Sequence, residues 1–149
     1  MDAHDVMQSA RTLLVTVKAP LEELKAVQAA ELKDRTDFLG GKTSTKPVED
    51  RHKRELTARE REGVNEVLNV AESWLRDCLT LSVAAGELVE NADAVDTMEE
   101  IAAVITPAAG LRALAAVAEA RRRVAANVAP QLALEAMLFD IQEVYRCPR

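Results

Sequence analysis

Ile105 to Tyr145, ITPAAGLRALAAVAEARRRVAANVAPQLALEAMLFDIQEVY, is the stretch whose reading decides the fold. Thr106 before Pro107 has the form of an N-cap followed by a proline at the first helical position, where the missing N–H has no intrahelical partner to lose. Leu111, Leu114, Val117, Ala118, Val124, Ala125 and Val128 then recur at helical spacings, while Arg112, Glu119, Arg122 and Arg123 fall mostly elsewhere. The spacing predicts an amphipathic helix with those apolar residues on its buried face. Pro130 interrupts it, because proline cannot donate to the preceding turn and pushes Ala129 out of the helical region. A second helix restarts at once, with Leu134, Leu138, Ile141 and Tyr145 on one side and Met137 and Val144 flanking.

Working outward, Val6, Ala10, Leu13, Leu14 and Val17 form another stripe, and Pro20 is read as a break that opens a new helix through Leu21, Leu24, Val27, Gln28 and Leu32. Gly40 to Pro47 has the composition of a loop. From about 47 to 85 a single helix is predicted, on the order of 55 Å long. Its first half, EDRHKRELTARERE, is charged on every side and is expected to project into solvent or lie against another subunit. Its second half carries a broad apolar face, Val64, Val67, Leu68, Ala71, Trp74, Leu75, Cys78, Leu79 and Ser82, bound for the core. Gly86 is read as the C′ residue of that helix, and Thr97 with Glu100 as a capping box for a short helix through Val104 and Ile105.

The fold class is therefore all-α: one domain over residues 1–149, a bundle of six helices, or five if Pro20 only bends the first. The 26 alanines and few glycines and prolines agree, since alanine and straight-chain residues lose least on entering a helix. A chain of this size buries roughly two-thirds of its unfolded surface, enough for its own core. The net charge of −6 disfavours attraction to nucleic acid or to an anionic membrane surface. Cys78 and Cys147 match no metal spacing and read as reduced thiols. No apolar run reaches the ~20 residues of a membrane span, and the first residues lack a basic signal-peptide start. The expected location is the cytoplasm.

No catalytic constellation emerges. Gly41-Lys42-Thr43 resembles the end of a phosphate loop, but Thr36 stands where the leading glycine belongs and no strand precedes it. Glu49 and His52 have the E-x-x-H spacing of metal-binding bundles in a single copy amid charges, which reads as a solvated helix face. Asp93 and Asp96 read as a solvated acidic loop. Catalytic, cofactor and metal sites are accordingly expected to be absent. Arg121, Arg122 and Arg123 point about 100° apart on a helix and cannot form one fork. With Arg76, beside Asp77, and Arg112 they are the candidate interface residues.

Three segments carry a resemblance: Trp74-Leu75-Arg76-Asp77-Cys78-Leu79, Asn91-Ala92-Asp93, and Asn127-Val128-Ala129-Pro130-Gln131-Leu132-Ala133-Leu134-Glu135-Ala136-Met137-Leu138, with ARRRVAAN before it. Together they resemble the end of bacterial clamp-loader subunits, the delta-prime family of the DNA polymerase III holoenzyme. The resemblance covers mainly residues 64–141 and rests on helical-packing motifs. It implies a helical collar domain that follows two AAA+ domains in the whole subunit. It also implies tau/gamma and delta subunits as partners, a role in loading the sliding clamp during DNA replication, and membership of a nucleotidyltransferase complex. No direct nucleic-acid contact and no enzyme activity are implied for this portion. The competing reading is a free-standing helical adaptor or regulator unconnected with replication.

Overall fold

The structure is a computed structural model that describes residues 3–39 and 44–146. Five α-helices run in the order α1 Ala3–Leu39, α2 Lys46–Ser82, α3 Val95–Ala102, α4 Pro107–Ala125 and α5 Pro130–Arg146, with short 3-10 turns at Gly86–Leu88 and Ala92–Ala94 between α2 and α3. Among the described residues there is no strand. The all-α bundle is thus as the sequence predicts, with the lower of its two helix counts. Among the described residues no single helix is long and apolar enough to cross a membrane.

Pro20 does not break the chain. It lies inside α1, which continues for 37 residues. Pro20 is exposed, so water can serve the carbonyl it leaves unpaired. The helix also has buried anchors on both sides, Leu14 and Val17 before the proline and Leu21 and Gln28 after it. Packing on both sides therefore outweighs the roughly 3 kcal/mol intrinsic penalty of an interior proline.

α1 turns back on α2 as an antiparallel hairpin. Val17 lies against Gly63, Lys18 meets Glu60 at 3.7 Å, Gln28 Nε2 donates to Glu55 at 2.9 Å, and His52 Nε2 lies 2.9 Å from Glu31. The charged half of α2 is therefore covered along one side by the second half of α1, with Val48 and His52 buried. The first half of α1 packs on α5, the second half of α2 packs on α4, and α4 packs on α5. The main core lies inside this ring and includes Ala10, Leu14, Val64, Leu68, Val117, Leu134 and Met137.

The buried face of α4 is rotated from the predicted one. Ala109, Gly110, Ala113, Ala116, Val117, Ala120 and Val124 face inward. Leu111 is 60 % exposed, and Ala118, Ala125 and Val128 are also outside. Small residues permit two neighbours to approach α4 closely: a methyl added at Gly110 would come within 3.1 Å of Leu79 Cδ1 and 3.3 Å of its Cβ. On α5 the buried set is Ala133, Leu134, Met137 and Val144, with Tyr145 outside.

Cap geometry confirms one prediction and corrects two. Thr106 is extended, and its side chain accepts from Ala109 N at 3.2 Å. Thr97 lies inside α3, which starts at Val95 after Ala94 with no side-chain cap. The end of α2 is formed by Ala84 rather than Gly86: Ala84 has φ 58, with Ala84 N donating to Leu81 O at 3.0 Å and Ala85 N to Thr80 O at 3.1 Å. These are the two bonds of a Schellman end, repeated after α4 by Asn127 at φ 65 and Val128. Asparagine accepts the left-handed region readily, whereas alanine is strained there. Replacing the exposed Ala84 by glycine is expected to stabilise the chain by about 1 kcal/mol, read as a rise in thermal midpoint of a few degrees; an unchanged or lower midpoint contradicts the strain.

Candidate subunit interface

Two of the three segments singled out in the sequence meet at one end of α2. Asp77 occupies a position that helical spacing assigns to the core face, among Trp74, Leu75 and Cys78, and it is fully buried. A buried carboxylate needs donors, and the connector after α2 supplies them. Asp77 Oδ2 accepts from Asn91 N at 2.8 Å, from Asn91 Nδ2 at 2.6 Å and from Glu90 N at 3.2 Å. Asn91 Nδ2 also donates to Ser73 at 2.9 Å. Arg76 reaches back to Glu90 and lies 3.9 Å from Asp77 Oδ1. The Trp74–Leu79 segment and the Asn91–Asp93 segment are thus parts of one polar lock that fixes the connector and seats α3, whose Met98 is buried with Cys78 and Ile105.

Burial alone pushes the Asp77 carboxyl up, but the Asn91 backbone and side chain, the Glu90 N–H and the Arg76 charge outweigh it and hold it below the usual carboxylate range. Burial, then the neighbouring Asp77 charge, pushes the Cys78 thiol up, which suits a buried reduced cysteine. The sequence contained the signal for this lock, an Asp within an apolar stripe, although its partner 14 residues along the chain has no fixed spacing to search for.

The five candidate arginines do not converge on one site. Arg76 is held by the connector as described. Arg121 crosses from α4 to α2, donating to Asn69 at 2.8 Å and pairing with Glu72 at 2.5 Å. Arg122 and Arg123 share Glu119, the latter at 3.0 Å, and Arg122 remains 78 % exposed. Arg112 lines a shallow groove between α4 and α5 with Glu119, Asp140 and Glu143. Helical geometry thus separates the consecutive arginines as predicted, and all five are engaged within the chain.

Glu49 and His52 are also separated. Glu49 accepts from the Thr45 hydroxyl at 2.5 Å. His52 is 5 % exposed and faces Glu31, so the predicted solvated face is corrected to a buried position in the hairpin. The hydrogen bond from His52, then that from Arg51, holds the Glu31 carboxyl below its ordinary value. Among the described residues no three His, Cys, Asp or Glu side chains gather as metal ligands. Asp93 and Asp96 are exposed. Residues 40–43 and Cys147 lie outside the described residues, and with them Gly41-Lys42-Thr43; α1 is helical up to Leu39, so no strand leads into it.

Compared with known families, characterised proteins and solved structures, this chain matches none.

Asp77→Ala is expected to destabilise the fold by about 2–4 kcal/mol, because it strands buried donors of the connector. The pH dependence has a defined sign. With the folded pKa below the unfolded one, the Asp77 contribution is complete above about pH 4 and is lost as pH falls through the folded value. Urea midpoints measured across the acid range are therefore expected to fall less steeply for Asp77→Asn than for the parent; identical slopes would remove Asp77 from the acid response.

Proposed function

We propose that this chain is a subunit-association module of a bacterial clamp loader, the collar portion of a delta-prime-type subunit, which holds tau/gamma and delta while other domains act on the sliding clamp. The observation that carries the reading is the Asp77 to Asn91 lock. Two of the three segments on which the resemblance rests are bonded to each other, and the third forms the turn from Asn127 to Pro130 that sets α5 against α4. Residues scattered in sequence that resemble a family at the points where they build one scaffold support common architecture better than isolated motif matches do. The reading assigns the domain no chemistry: its parts are helix ends, a connector anchor and packing faces, suited to holding a neighbour in one orientation.

Exposed Arg122, tied only to Glu119 one turn back on its own helix, is the arginine best placed to exchange an internal partner for an external one, since such surface pairs contribute only about 0.3–0.5 kcal/mol. Mixing the purified chain with the tau/gamma and delta collar domains is expected to give a ternary species on size exclusion. Arg122→Glu is expected to weaken it by about tenfold while leaving the helical circular dichroism signal intact. The absence of any complex at micromolar concentrations overturns the reading.

A further inference from the structure

Each of the two longest helices carries one interior residue that weakens a helix, and the hairpin brings the two to the same height. In α1 it is Pro20, whose ring nitrogen cannot donate to the Thr16 carbonyl one turn back. The Thr16 hydroxyl also bonds the Thr12 carbonyl at 3.2 Å, a contact that favours bending. In α2 it is Gly63, the only glycine of that helix, where the backbone has its widest conformational range. Val17, three residues before Pro20, lies against Gly63, and Lys18 meets Glu60 at 3.7 Å. Pro20 and Gly63 also line one hollow of about 490 Å³, whose α5 wall is Met137, Leu138 and Ile141. At this height the hairpin is open on the α5 side.

Toward its tip the hairpin holds itself together. Among the described residues, none of 21–39 or 46–60 enters the buried hydrophobic clusters of the bundle. Their polar contacts stay within the hairpin: Gln28 with Glu55 at 2.9 Å, His52 with Glu31 at 2.9 Å, and Arg51 with Glu31. Arg61, two residues from Gly63, is the α2 residue nearest the tip that bonds outside the hairpin among the described residues, donating to Asn127. Buried Leu21, Gln28, Val48 and His52 tie the two segments to each other, over a length of about 30 Å. We propose that residues 21–39 and 46–60 move as one rigid arm about a hinge at Pro20 and Gly63, displacing the hairpin tip relative to the bundle while the bundle core stays packed. Hinges absorb rotation at a few residues and leave the elements on either side intact. Such a hinge needs no partner, so it is independent of the clamp-loader reading.

Spin labels at Ala30→Cys on the arm and Ala118→Cys on α4, both exposed sites, report the swing as a distance distribution in the full chain. A pair at Val15→Cys and Ala118→Cys, both within the bundle, is the reference. Cys147→Ser and the burial of Cys78 confine the labels to the introduced sites. The arm pair is expected to give a distribution about twice as broad as the reference pair. Pro20→Ala restores a donor for the Thr16 carbonyl at an exposed position and places the best helix former there. It is expected to narrow the arm distribution toward the reference breadth with the circular dichroism signal retained. An arm pair no broader than the reference, or a breadth that Pro20→Ala leaves unchanged, overturns the hinge.

Discussion

The close approach permitted by the small-residue stripe of α4 is the constraint on which the rest of the bundle depends. Ala109, Gly110, Ala113, Ala116 and Ala120 keep α4 thin over most of its inner face, with Val117 and Val124 as the larger members. α2 and α5 can therefore both lie against it, and large residues such as Leu68, Leu134 and Met137 are supplied by the neighbours. At interiors packed to crystal-like density, one added methyl is felt, and the space beside Gly110 is already shared with Leu79. The arrangement leaves Leu111 outside, while Val117 and Val124 are the larger side chains that α4 turns inward. It also leaves Arg121 directed across to α2, while Arg122 and Arg123 stay on the helix surface.

The second constraint acts on the α1–α2 hairpin beyond the ring. A helix of 37 residues cannot hold a charged half in register through surface ion pairs alone, because exposed pairs are worth little. The hairpin is fixed by a short buried ladder, Leu21, Gln28, Val48 and His52, in which polar members have specific partners in Glu55 and Glu31. Polar contacts of this kind specify register more than they stabilise. Gly63, whose added methyl would come within 3.0 Å of Val17 Cγ1, marks a close approach of the two helices. An apolar hollow between α1, α2 and α5 opens beside it, with both residues in its lining.

Periodicity made the all-α class, the length of α2 and the Thr106 and Pro130 boundaries legible, because stripe spacing and proline chemistry are local. It misplaced the face of α4, since a stripe drawn through leucine and valine overlooks alanine and glycine as the residues that face inward when neighbours are close. It ended a helix at Pro20, because the cost of a proline is local and the packing that offsets it comes from another part of the chain. Gly86 was the natural choice for a left-handed helix end, yet the strain fell on Ala84, where the bonds to Leu81 and Thr80 close the helix. His52 looked solvated amid charges, but the residue opposite it on α1 decides its burial, and no single helix displays that.

The polar lock at the end of α2 links fold to use. A connector of small and acidic residues has little apolar surface with which to order itself, so its course depends on Asp77 holding the backbone at Glu90 and Asn91. With that hold, α3 packs Met98 beside Cys78 and Ile105, and Thr106 is delivered to the point where α4 begins. The carboxylate thus acts as a structural ligand for its own chain, with the three connector donors all meeting Oδ2. With Asp77, fully buried, orienting the connector, the helical surfaces at this end of the bundle have their relative positions set in advance. Preformed surfaces lower the ordering cost of association, which is what the proposed subunit-association role requires.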